Sequence, residues 1–169
     1  MGTGQHKGGT PAIVELERAG RTFAVHEFDH LPSEKGYGLA AAEALGVEPD
    51  RVFKTLLADV VEGAGATVQV VGIVPVTMQL SLKELAAAVG GKRAEMCDPA
   101  VAQRITGYVV GGISPFGQKK RLRTVIDESC ELWETIFVSG GKRGMDLELA
   151  PAVLVEHLAA VVADIATTR

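Results

Sequence analysis

Two rhythms of apolar and polar positions alternate along the chain. Residues 10–20, TPAIVELERAG, read as a short helix: Thr10 accepts from free N–H groups, Pro11 suits the first turn and Gly20 allows a left-handed stop. A strand, TFAVHEF (22–28), is expected next, followed by an alanine-rich helix in GLAAAEALG (38–46). RVFKTLLADVV (51–61) turns apolar and β-branched, and the turn EGAGA joins it to TVQVVGIVPV (67–76) as an antiparallel hairpin. SLKELAAAVG (81–90) carries Ser81 and Glu84 as a capping box, and DPAVAQRITG (98–107) opens on Asp98 and Pro99 and closes on Gly107. Strands are then expected in YVVGGIS (108–114), RTVIDE (123–128) and TIFVSGG (135–141). The helix period of Val153, Leu154, Leu158, Val161, Val162 and Ile165 predicts a terminal helix over 150–166.

Interleaved helices and strands with an antiparallel hairpin predict an α+β protein on a mixed sheet rather than a parallel dinucleotide-binding one. At 169 residues, residues 11–169 form one expected domain behind a flexible tail at 1–10. The tail, MGTGQHKGGT, has no apolar signal region, and no window holds the roughly 20 unbroken apolar residues of a membrane span, so a cytoplasmic location is expected. A net charge of −4 requires any polyanion to be met by a local patch. Lys119, Lys120, Arg121 and Arg123 are one such cluster.

Glycine is the compositional signal: 20 residues, concentrated in GYVVGGISPFG (107–117) and VSGGKRGMDLEL (138–149). These runs read either as tight turns or as backbone laid open to a ligand, with Ser114, Ser139 and Asp146 beside exposed amides able to hold a carbonyl or phosphate oxygen. Neither dinucleotide nor Walker glycine spacing is present. Lys54 interrupts the apolar strand VFKTLL, where it either faces solvent or enters a cleft, and Thr55 points to the opposite side. His26 and His30 do not share a helical face, so no metal site is expected, and no serine or cysteine has a partnering base. Cys97 and Cys130 read as buried thiols, with neither expected to approach a site.

Four stretches, GYGLAAAEALGVEPDRVFKTLL, GIVPVTMQLSLKELAAAVGGKRAEMCDP, TGYVVGGISPFGQKKRLRTVID and VSGGKRGMDLEL, closely resemble in order and spacing the YbaK family of bacterial aminoacyl-tRNA deacylases. The resemblance runs from about residue 22 to 165. It implies a mixed, partly antiparallel sheet curved toward a barrel with surrounding helices. It also implies that Lys54 is the essential lysine orienting the terminal adenosine and ester, with Thr55, Gly111, Ser139 and Asp146 lining the pocket and Tyr37 an aromatic wall. Phe28 stands where cysteine-specific members often carry tyrosine. In this reading the GGISPFG loop, with Gly111, Gly112 and Ser114, is the amide-rich wall, while Lys119, Lys120, Arg121, Lys142 and Arg143 contact tRNA.

The resemblance to the free-standing branch implies a trans-editing hydrolase acting on Cys-tRNA(Pro). In that branch the substrate's own thiol attacks its ester carbonyl, giving lyase character. The expected partners are the cysteine-bearing acceptor end of tRNA(Pro) and prolyl-tRNA synthetase, with no cofactor, metal or membrane. Editing of this kind is warranted because pocket size separates cysteine from proline by only about 1–3 kcal/mol. Two alternatives stay open: a water-using deacylase for another mischarged residue such as alanine, and a non-catalytic tRNA- or nucleotide-binding module.

Overall fold

The computed structural model describes residues 9–29 and 36–168; His30 and residues 1–8 of the tail expected at 1–10 lie outside the described residues. Helix α1 (Pro11–Arg18) begins as expected, with Thr10 Oγ1 accepting from Ile13 N–H. After β1 (Ala24–Glu27) comes α2 (Tyr37–Leu45), then a 3-10 turn, Pro49–Arg51. The hairpin of β2 (Phe53–Val61) and β3 (Thr67–Pro75) is continuous from Phe53 opposite Pro75 to Val61 opposite Thr67. β4 (Gln79–Leu80) leads into α3 (Leu82–Ala88), where Glu84 N–H donates to Ser81 Oγ at 3.2 Å. β5 (Arg93–Met96) precedes α4 (Pro99–Thr106), whose cap Asp98 accepts from Ala100 N–H at 2.9 Å. β6 (Arg123–Asp127), β7 (Ile136–Lys142) and β8 (Met145–Leu149) follow, then α5 (Pro151–Leu158), β9 (Val161–Ala163) and β10 (Ala166–Thr167).

The α+β class and the mixed sheet hold. Five strands run β5-β2-β3-β6-β9, antiparallel around β2 and parallel across β3-β6-β9; a three-stranded antiparallel sheet runs β1-β8-β7, and β10 pairs β4. A bridge between Val52 and Phe137 joins the two larger sheets at a corner, and the described strands do not close into a barrel. The main core lies between them, with Phe53, Leu57 and Ile73 from one sheet meeting Val138 and Leu147 from the other under Ile13, Leu16 and Leu154. Burying an aliphatic side chain contributes about 1.5–3 kcal/mol, so this interface holds the two sheets together.

β5 and β8 form where no strand was expected, and two expected segments take another form. Residues 108–114 form no strand: Gly112 N–H closes a turn on Val109 carbonyl at 2.9 Å, with Gly111 at φ 89°, and Tyr108 Oη donates to Phe116 carbonyl at 2.6 Å. The terminal helix stops at Leu158, because Ala159 adopts φ 51° and Val161–Ala163 pair with Val125–Asp127. Buried Asp127 reinforces that exchange. Its Oδ1 accepts from Ile165 N–H at 3.0 Å and Ala166 N–H at 2.9 Å, and its Oδ2 from Ser129 N–H at 3.1 Å.

Candidate active site

At the corner between the sheets lies a cavity of about 340 Å³, bounded by β2, α2, the 109–113 loop and the β7–β8 hairpin. Its walls are mostly apolar, with Val52, Phe53, Leu57, Val76, Ala102 and Ile113 among them. Into this setting the fold brings Lys54, Thr55, Ser139 and Asp146, while Phe28, Tyr37, Gly111, Lys142 and Arg143 complete the rim and walls. Most of the residues singled out in the sequence therefore meet in one place.

Lys54 sits on β2 opposite Val74 and is half-buried. Thr55 follows it, 8% exposed, and its Oγ1 is buried with no hydrogen-bond partner among the described residues. An unmet hydroxyl of this kind costs about 1–3 kcal/mol in a folded protein, so a ligand atom that met it would recover that cost.

Asp146 is 7% exposed on β8, directly opposite His26 of β1 and Ser139 of β7. Burial alone raises its carboxyl to a pKa of about 7. Its strand places Met145, Leu147 and Leu149 in the core and turns Asp146 and Glu148 to the other face. Beside the cavity, Glu148 accepts from Thr135 Oγ1, lies 2.9 Å from His26 Nε2 and 3.5 Å from Arg51; the Thr135 hydrogen bond, then His26 and Arg51, hold its carboxyl below the usual range against the opposing effect of burial. Arg51 also stacks on Phe137 at 5.2 Å.

The rim is braced by one contact set. Arg143 Nε and Nη2 donate to Val110 carbonyl at 3.0 and 2.8 Å, and its guanidinium carbon lies 4.6 Å from the Tyr37 ring centre. A Cβ on Gly111 would fall 2.6 Å from that ring, and one on Gly112 would fall 2.9 Å from the Lys142–Arg143 backbone. Both glycines are required by close approach. A two-residue bulge, Gly140–Gly141, separates Ser139 from Lys142 on β7, and Ser139 Oγ accepts from Gly141 N–H at 3.2 Å.

Several expected placements are corrected. Ser114 is fully buried and its Oγ accepts from Phe116 N–H at 3.3 Å, serving the loop and not the cavity. Gly112 supports the loop without lining the cavity. Cys97, expected to stay away, lines the wall, because the unforeseen strand β5 ends beside β2, with Cys97 N–H donating to Leu57 carbonyl at 3.1 Å. Burial first, then Asp59, pushes its thiol up.

The cationic run lies elsewhere. Lys120, Arg121 and Arg123 border a second hollow of about 300 Å³ with Val60, Glu62 and Thr67. That places it near the far end of β2, about 20 Å from Lys54 at 3.3 Å per residue. Arg121 donates to His157 carbonyl at 3.2 Å and Arg123 to Val89 carbonyl at 3.1 Å, each satisfying a helix C-terminus. Lys119 packs over Gly107. Among the described residues no group of three or more His, Cys, Asp or Glu side chains could hold a metal, and no helix is long and apolar enough to cross a membrane.

Comparison with known proteins gives a concordant picture. The profile of the aminoacyl-tRNA editing domain matches residues 36–156. A protein of Enterococcus faecalis, EbsC, provisionally named a Cys-tRNA(Pro)/Cys-tRNA(Cys) deacylase, is 40% identical over 162 residues, covering 94% of this chain and 93% of its own. An Escherichia coli protein named a multifunctional Ser/Thr-tRNA deacylase is 34% identical over 88 residues, 52% of each chain. A crystal structure described as a candidate trans-editing enzyme for prolyl-tRNA synthetase superposes with a TM-score of 0.77 at 25% identity, covering 93% of this chain and 95% of that one.

Proposed function

The chain belongs to the aminoacyl-tRNA editing domain family, and from that premise we propose that it is an aminoacyl-tRNA deacylase that removes cysteine mischarged onto tRNA(Pro). The observation that carries the reading is the chemistry gathered in the corner cavity. An apolar chamber holds an amine at Lys54, a hydroxyl at Thr55 that no described residue meets and a buried carboxyl at Asp146, under a glycine turn at Gly111. Mostly apolar walls with a few converging polar groups are the usual make-up of a ligand site.

In this reading the ester enters beneath the 109–113 loop with the small side chain against Phe53 and Ile113. Lys54 attracts the ribose and its phosphate, and Asp146 receives the substrate's α-ammonium. Thr55 Oγ1 faces the ester oxygen beneath the turn at Gly111. The substrate thiol adds to the ester carbonyl, the bond to the ribose oxygen breaks, and the thiol proton passes to that oxygen. Water then opens the thiolactone. Holding thiol and carbonyl together in an apolar chamber, with a donor fixed where negative charge develops, supplies the rate without a protein nucleophile. Prolyl-tRNA synthetase, as source of the mischarged tRNA, is the expected partner, and the reading places the protein where translation occurs, in the cytoplasm.

The test is single-turnover release of labelled amino acid from Cys-tRNA(Pro), from Ala-tRNA(Pro), and from Cys-tRNA(Pro) alkylated on sulfur. Rapid release from the free-thiol ester alone is the expected result. Equal release from all three would replace the thiol with water as nucleophile, and release from none would sink the deacylase reading.

A further inference from the structure

Arg143 and Tyr37 form an unusual feature at the cavity mouth. An exposed arginine ordinarily samples many rotamers, yet both donors of one edge of this guanidinium bind a single acceptor, the Val110 carbonyl. Its plane is further fixed by the Tyr37 ring, 4.6 Å away. The ring in turn packs on Gly111, where even a methyl group would collide. Both side chains remain exposed, Tyr37 at 47%, and apolar Val109 and Val110 are exposed beside them. The two hydrogen bonds therefore do not withdraw the arginine into the protein; they hold a flat cation at the entrance.

A flat cation held by two hydrogen bonds and an aromatic ring, yet still exposed, is poorly suited to tracking a flexible phosphate, for which a mobile lysine would serve. It suits a flat π-system, as arginine planes and aromatic rings do when they receive unpaired bases. Resting on the deacylase reading of the same cavity, we infer that the Tyr37–Arg143 stack receives the nucleobase of the esterified 3′-terminal nucleotide, so that the attached ribose ester is directed inward to Lys54 and Thr55. Both are positioning residues: they set where the ribose lies and take no part in bond making. The adjacent Lys142 is left to meet phosphate.

The test separates a stacking face from a charge. Short acceptor-end RNAs are cysteinylated on a 3′-terminal nucleotide that either keeps its adenine or lacks a base, and kcat/KM is measured for the unmodified protein and for Arg143→Lys. The unmodified protein should favour the adenine substrate about tenfold. Arg143→Lys should lose that preference while keeping its salt dependence, because the charge remains. A merely structural role would lower both substrates alike, and a phosphate contact would be rescued by lysine; either outcome overturns the inference.

A second readout does not depend on turnover. Unacylated RNA ending in 2-aminopurine, labelled at its 5′ end, is titrated with protein: anisotropy reports binding, and 2-aminopurine fluorescence reports stacking. Quenching on binding to the unmodified protein, and its loss in Arg143→Lys, is expected even if no ester is cleaved, in which case the deacylase reading alone fails. Binding without quenching, or no binding, contradicts the stack's role.

Discussion

Ser139 and Asp146 face each other across the β7–β8 ladder, and His26 continues the row on β1. The row places a buried carboxyl at the wall of the cavity while the other face of the same strand builds the core. With its folded pKa raised to about 7 from an ordinary value near 3.8, Asp146 binds a proton more tightly in the folded than in the unfolded chain. Its contribution to stability is therefore fully present below about pH 4 and lost as pH rises through 7. Thermal unfolding of Asp146→Asn should lack this loss, so that the variant gains on the unmodified protein between pH 4.5 and 7.5. Parallel stability profiles would contradict the burial argument.

Gly111→Ala should lower kcat/KM at least tenfold and the melting temperature by a few degrees. The new methyl group meets the Tyr37 ring at a backbone φ of 89°, which L side chains rarely adopt. Deacylation assays and thermal scans on one preparation check both; full activity with unchanged melting would mean that the ring does not rest on this turn.

Asp127→Ala removes one carboxylate that accepts from three backbone N–H groups. Leaving these donors without a partner should cost about 3 kcal/mol and detach the β9–β10 segment first. Hydrogen exchange at Ile165 and Ala166, faster than in the core strands, is the expected signature. Exchange unaltered there would contradict the role assigned to Asp127.

Cys97 lines the cavity, but burial and Asp59 keep its thiol protonated at neutral pH. Its alkylation by iodoacetamide at pH 7.5 should be at least tenfold slower than that of free cysteine, since the thiolate is the reactive form. Fast, selective alkylation would reopen the case for a protein nucleophile.

Cap chemistry made α1, α3 and α4 legible: Thr10, Ser81 and Asp98 each accept the bonds their positions announce. The β2–β3 hairpin was legible because both strands are apolar and flank one glycine turn. β8 was harder, since Asp146 and Glu148 interrupt it, although the alternation of Met145, Leu147 and Leu149 with those acids is the strand signal. The chain after Leu158 misleads because a helical spacing of Val161, Val162 and Ile165 is overridden by pairing with β6 and by Asp127, neither of which is local. Site residues followed the same division. Lys54, Thr55 and Asp146 stand out as polar residues in apolar strands, whereas Ser114 is used by its own loop, and Cys97 reaches the cavity only through the pairing of β5 with β2.

Lys54 on the cavity wall is the most direct point at which to test the account. Single-turnover deacylation of Cys-tRNA(Pro) by Lys54→Ala, with its thermal stability measured alongside, should fall at least 100-fold while the fold is retained, in line with the loss of a preorganised electrostatic group. Cleavage at the unmodified rate by a folded Lys54→Ala protein would contradict the assignment of the corner cavity as the site of ester cleavage.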